Sequence, residues 1–80
     1  MKITNKLLRS EALTMLVCIK TGLMVDESIF AVRGKIYPLV GDEIVDEEGD
    51  IHSGDKKWFN EYFAVATPEC VQDYFRKPKR

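Results

Sequence analysis

The sequence predicts a small, mainly β domain with short flanking helices, an α+β arrangement in which a small antiparallel barrel carries a helix at its C-terminal side. Three observations predict it. Short apolar runs recur between residues 13 and 66. Turn signals separate them at close intervals, at Arg33-Gly34-Lys35, Gly41-Asp42, Glu48-Gly49-Asp50 and Ser53-Gly54-Asp55, and short strands with turns this close suit a small barrel or sandwich. The chain has 80 residues of which 45% are hydrophobic, enough for a single domain over residues 1–80 and too apolar for a disordered chain.

Residues 4–12 allow a short helix, with Thr4 or Asn5 as its cap and Leu8 and Ala12 on one face. The run from Leu13 to Ile19 fits both a helix and a strand by spacing. β-branched Val17 and Ile19 and the Thr21-Gly22 stop favour the strand. Strands follow over residues 28–32 and 36–40, split by a turn or bend at Gly34. Pro38 has no N–H to donate, so it belongs on an edge or at a bulge. Gly41-Asp42 turns into a strand over residues 43–46, and Glu48-Gly49-Asp50 reverses into residues 50–52. The aromatic-rich residues 57–63 fit a one-turn helix entering a last strand over residues 63–66. Thr67 then caps a helix with Pro68 in its first position and Glu69 in its first turn. Val71, Tyr74 and Phe75 share one face, Arg76 and Lys77 suit its negative end, and Pro78 stops it. Residues 76–80 form a basic tail expected to fray.

Charge is clustered although the net is only -1. Residues 26–55 hold nine acids against Arg33 and Lys35, while both flanks are basic, and clustering of this kind creates a local field. No stretch approaches the ~20 apolar residues of a membrane span, and Arg9 and Glu11 interrupt any secretory core. Two cysteines, Cys18 and Cys70, are too few to staple a small secreted domain, which points to the cytoplasm.

The chemistry-bearing residues do not assemble into a catalytic pattern. Asp46, Glu48 and Asp50 begin like a calcium loop, but the sixth and twelfth positions are Ile51 and Lys57 where glycine and an acid are needed. His52, Cys18 and Cys70 lack the close ligand pairs of structural zinc sites. No nucleophile elbow, phosphate loop or dinucleotide glycines occur, and a chain this short leaves little room for a cleft of about 300 Å³. The expectation is no enzyme, no cofactor and no metal. Phe30, Tyr37, Trp58, Phe59, Tyr62 and Phe63 are expected mainly in the core, with one of the adjacent Trp58 and Phe59 left exposed as an anchor.

From Cys18 to Val65 the landmarks Cys18-Ile19, Gly34-Lys35-Ile36-Tyr37, Asp46-Glu47-Glu48-Gly49-Asp50 and Tyr62-Phe63-Ala64-Val65 resemble those of small phage-encoded proteins of the SH3-like β-barrel kind. The resemblance implies an SH3-like antiparallel barrel, and a short accessory protein that binds and blocks or modulates a host protein. The residues themselves offer a matching surface. Asp42, Glu43, Asp46, Glu47, Glu48 and Asp50 would face a basic partner, and Trp58 would anchor it. The chain is then a monomer or small homo-oligomer in the host cytoplasm, without membrane contact. The alternatives are a single-strand nucleic-acid binder using Arg76, Lys77, Lys79 and Arg80, and a homo-oligomeric virion component. A sequence pI near 5.8 weighs against nucleic acid as the main ligand.

Overall fold

The computed structural model describes residues 2–68. Helix α1 (Asn5–Arg9) starts where Thr4 Oγ1 accepts the Leu7 N–H at 3.2 Å. It is shorter than the expected 4–12 because Ser10 is extended and its hydroxyl takes the Ala12 N–H, a side-chain bond that competes with helix. Strand β1 (Leu13–Cys18) settles the ambiguous apolar run as a strand. Short strands β2 (Gly22–Leu23) and β3 (Ile29–Ala31) form a two-stranded hairpin of their own. Nothing in the residue order marks β2, since Gly22 reads only as a stop. Its position is a packing matter: a Cβ there would lie 2.1 Å from Cζ of Phe30.

The main sheet adds β4 (Ile36–Val40), β5 (Glu43–Val45), β6 (Ile51–Ser53) and β7 (Phe63–Val65), in the order β6-β5-β4-β1-β7 and antiparallel throughout. Helix α2 (Lys56–Tyr62) enters β7 directly, capped by Asp55, whose carboxylate accepts the Trp58 N–H at 2.8 Å. Among the described residues the architecture is mainly β with two short helices. Among the described residues the main sheet is not closed into a barrel: β6 and β7 lie at its edges.

Pro38 sits in a strand flanked on both sides, not on the expected edge. The register explains why it is tolerated. β4 and β5 pair at Val40↔Glu43 and Leu39↔Ile44, and the next hydrogen-bonded pair would ask Pro38 for an N–H it lacks, so the ladder stops there. The Gly41–Asp42 turn between them has Gly41 at φ 63, the positive angle a two-residue hairpin needs at its first position.

Alternation along β1 separates two faces. Leu16 and Cys18 point with Tyr37, Leu39, Ile44 and Phe63 into a core shared with Ile3, Phe30, Ala31 and Phe59. Asn60 clamps the N-terminus onto that core, accepting the Ile3 N–H and donating to the Ile3 carbonyl, each at 2.8 Å. Among the described residues no helix is long and apolar enough to cross a membrane. The expected C-terminal helix beyond Pro68, the tail with Arg76, Lys77, Lys79 and Arg80, and Cys70 lie outside the described residues.

Candidate functional site

The acidic hairpin is where sequence reasoning placed the partner surface, and the structure divides its six acids into two groups. Asp46 is turned inward. One of its oxygens accepts the N–H groups of Asp50 (2.7 Å) and Glu48 (2.9 Å), while the other meets Nε2 of His52 at 2.6 Å. Only 5% of the side chain remains exposed. Burial by itself would raise this carboxyl; the donors from Asp50, His52 and Glu48 outweigh it and hold Asp46 below the usual carboxylate range. A short carboxylate that gathers backbone N–H groups from the next residues is what turns the chain between β5 and β6.

Glu47 is also tied down. Its carboxylate accepts from the Tyr37 hydroxyl at 2.6 Å and from Lys35 Nζ at 2.9 Å, and both bonds lower its pKa. Its own N–H donates to the Phe30 carbonyl at 2.8 Å. The Tyr37 hydroxyl in turn accepts the Val32 N–H at 2.8 Å. Burial first and Glu47 second push the Tyr37 phenol up to about 12, so it stays a neutral donor. Asp46 and Glu47 are therefore structural staples joining the β5–β6 turn to β3 and β4. Of the two, Asp46 departs from the expectation of standing out in solution, whereas Glu47 remains exposed with its carboxylate engaged by Lys35 and Tyr37.

Asp42, Glu43, Glu48 and Asp50 are exposed and make no ion pair among the described residues. Asp42 and Glu43 stand at one end of β5, and Glu48 and Asp50 at the other. Trp58 also departs from its expected role as a free anchor. It is half-buried, stacked on Phe30 at 5.6 Å and near-parallel to His52 at 6.4 Å, while Phe59 beside it is fully buried. Both belong to α2 rather than to an extended segment, so their side chains diverge by a helical step and not to opposite faces. Gly54 is needed there, since a Cβ would lie 2.8 Å from the Trp58 ring.

The feature that sequence reasoning missed is the outer face of the main sheet. Leu13, Met15, Ile36, Val40, Val45 and Ile51 are all exposed there, Leu13 by 66% and Ile51 by 65%. Register makes them neighbours: Leu13 lies opposite Val40, Met15 opposite Pro38, and Val45 opposite Ile51. The signal was present in β1 and β4, which are apolar at successive positions and not only at alternate ones. Such runs belong to strands covered on both faces.

An open groove of about 400 Å³ runs between α1 and β7, lined by Leu7 and Val65 with Lys2, Thr4, Lys6 and Ser10. The expectation that so short a chain leaves little room for a cleft does not extend to this open groove. Among the described residues no group of His, Cys, Asp or Glu is placed to hold a metal ion. Cys18, within the core, has its thiol pKa raised by burial and donates to the Lys20 carbonyl at 3.1 Å. No family model matches the chain, and none of the curated proteins or solved structures does.

Proposed function

We propose that the protein is a small protein-interaction module that docks through the outer face of its main sheet, with the four unengaged acids guiding the approach. The observation that carries this reading is the cluster of six exposed apolar side chains on one face. Together they present on the order of 500 Å² of apolar surface, in the range where a contiguous patch on a monomer marks an interaction site. The partner that fits is a protein with an apolar patch ringed by lysine or arginine. Asp42 and Glu43 at one end of β5, and Glu48 and Asp50 at the other, would speed encounter, while Leu13 and Ile51 contribute the buried contact.

An SH3-like kinship belongs to the same reading, with a host protein as the partner whose activity is blocked or modulated. It is supported by the strand order, by the β2–β3 excursion between the first two strands of the main sheet, and by the short helix just before the last strand, which returns to pair with the first. The single-strand nucleic-acid alternative has less to stand on, because Phe30, Tyr37, Phe59 and Phe63 are buried and offer no stacking platform.

The test compares the full chain with its Leu13→Asp, Ile51→Asp double variant as immobilised bait. Both sites are exposed, so the variant is expected to melt within a few degrees of the parent. A partner captured by the parent should bind the variant at least tenfold more weakly. Glu43→Lys with Glu48→Lys should slow association with that partner and flatten its salt dependence. Equal capture by parent and apolar-face variant refutes the docking face. A dimer in light scattering that the double variant abolishes replaces the foreign partner by a second copy.

A further inference from the structure

We propose that the groove between α1 and β7 binds a medium-chain carboxylate, a free small molecule with an unbranched apolar tail and one anionic head. This inference does not depend on the docking reading. Leu7 and Val65, which floor the groove, pack against the core on the side of the main sheet opposite the outer face.

The groove is held in shape by bonds that do not use its open side. Asn60 grips the backbone of Ile3 through both its N–H and its carbonyl, each at 2.8 Å, which fixes Lys2 and Thr4 on either side. Thr4 caps α1 at one end, and Ser10 ends it at the other, where its N–H donates to the Leu7 carbonyl at 3.0 Å. Val65 is placed by its pairing with Leu16. Walls set in this way lower the ordering cost of binding. The volume of about 400 Å³ lies in the lower part of the range for small-molecule sites.

The chemistry of the walls is one-sided. Lys2 and Lys6 carry ammonium groups, which only donate, and neither forms an ion pair among the described residues. Thr4 and Ser10 each accept a backbone N–H, from Leu7 and Ala12, so each hydroxyl keeps its own proton to give. Among the described residues no carboxylate lines the groove. Four donors above an apolar floor call for a ligand that brings both an acceptor and a tail. A carboxylate supplies about four acceptor positions on its two oxygens. A bare phosphate would leave Leu7 and Val65 uncovered, and a neutral alcohol would leave two cations unmatched. The same pairing gives a role to Lys2 and Lys6 of the basic N-terminal flank. Both lysines are exposed, so their attraction weakens with salt and the tail supplies most of the affinity.

Titration of the full chain, with leucine and valine methyl groups labelled, tests this with four probes: decanoate, octanoate, decanol and inorganic phosphate. Decanoate should shift the Leu7 and Val65 signals. Octanoate should bind about four- to sixteenfold more weakly, since each methylene it lacks is worth up to about fourfold when fully buried and about half that free energy in an open groove. Decanol should bind at least fivefold more weakly than decanoate at low salt, and phosphate should leave both signals in place. The Lys2→Gln, Lys6→Gln variant alters only exposed side chains and should melt close to the parent. It should lose the preference for decanoate over decanol. Unmoved Leu7 and Val65 signals at millimolar decanoate would overturn the proposal, as would equal binding of decanoate and decanol by the parent. Shifts confined to Leu13 and Val40 would overturn it in favour of a tail adsorbed on the outer face. Binding only to phosphatidylglycerol vesicles, with none to free decanoate, would replace the small molecule by a lipid surface. The bait experiment above alters Leu13 and Ile51, which do not line this groove, so either reading can fail while the other stands.

Discussion

Replacing Tyr37 by phenylalanine removes one oxygen and tests whether the acidic turn is fastened to the core or merely rests near it. The ring stays: Tyr37 is 5% exposed and packs edge-on against Phe63 at 6.0 Å. What goes is an acceptor for the Val32 N–H at 2.8 Å and a donor to Glu47 at 2.6 Å. A backbone donor left without its partner in a largely buried place costs about 1–3 kcal/mol. In a domain of this size each kcal/mol lowers Tm by about 4–8 °C, so Tyr37→Phe should melt roughly 5–20 °C below the parent. Thermal melts followed by circular dichroism, with urea titrations for the slope, measure it. Glu47→Gln keeps an acceptor for the phenol and should cost less, and the double variant should cost less than the sum of the singles, because both act on one network. A Tyr37→Phe variant melting within 2 °C of the parent, with strictly additive effects, would refute the stapled turn. It would also return Glu47 to the pool of acids available to a partner.

Asp46 predicts the acid limb of stability. Its carboxyl is held below the ordinary 3.8 in the folded chain, so the stability it contributes is fully present above that value and is lost as pH falls through the folded one. Urea midpoints should therefore drop on going from pH 5 to pH 2. Asp46→Asn should be less stable than the parent at pH 7 and show a shallower fall, the two curves converging at the acid end; parallel curves would contradict the assignment. Gly22→Ala forces a methyl group to within 2.1 Å of Phe30 Cζ, and overpacking of this kind costs about 1–3 kcal/mol. Because Phe30 stacks on Trp58, the same variant should shift the tryptophan emission, whereas Gly49, with nothing within 4 Å of its would-be Cβ, should leave emission unchanged when replaced. Equal emission shifts from both sites would remove the Phe30 contact as the cause.

Much of the β framework was legible because turn chemistry is local. Gly34, Gly41 and Gly49 all take positive φ, a conformation that glycine alone adopts cheaply, and each falls between strands where the residue order put a reversal. Thr4 was readable as a cap for the same reason, since its bond reaches only to Leu7. The β2–β3 hairpin was not legible. Its requirement for Gly22 comes from Phe30, eight residues away, and short-range patterns carry no trace of such a contact. Nor was the fate of the acids. Asp46 and Glu48 look alike in the chain, yet one is enclosed by two backbone N–H groups and His52 while the other faces water.

Residue order by itself determined a small, mainly β domain, most of its turns, the strong clustering of negative charge and the set of large side chains available for a core. Tertiary structure decided that the main sheet of the described residues stays open, that Asp46 and Glu47 serve the fold, and that six apolar residues of the main sheet point away from the core. The physical reason is one of range. Backbone conformation at a turn is set by the residues in it, whereas burial depends on which strands become neighbours, and antiparallel register alone placed Leu13 beside Val40 and Val45 beside Ile51.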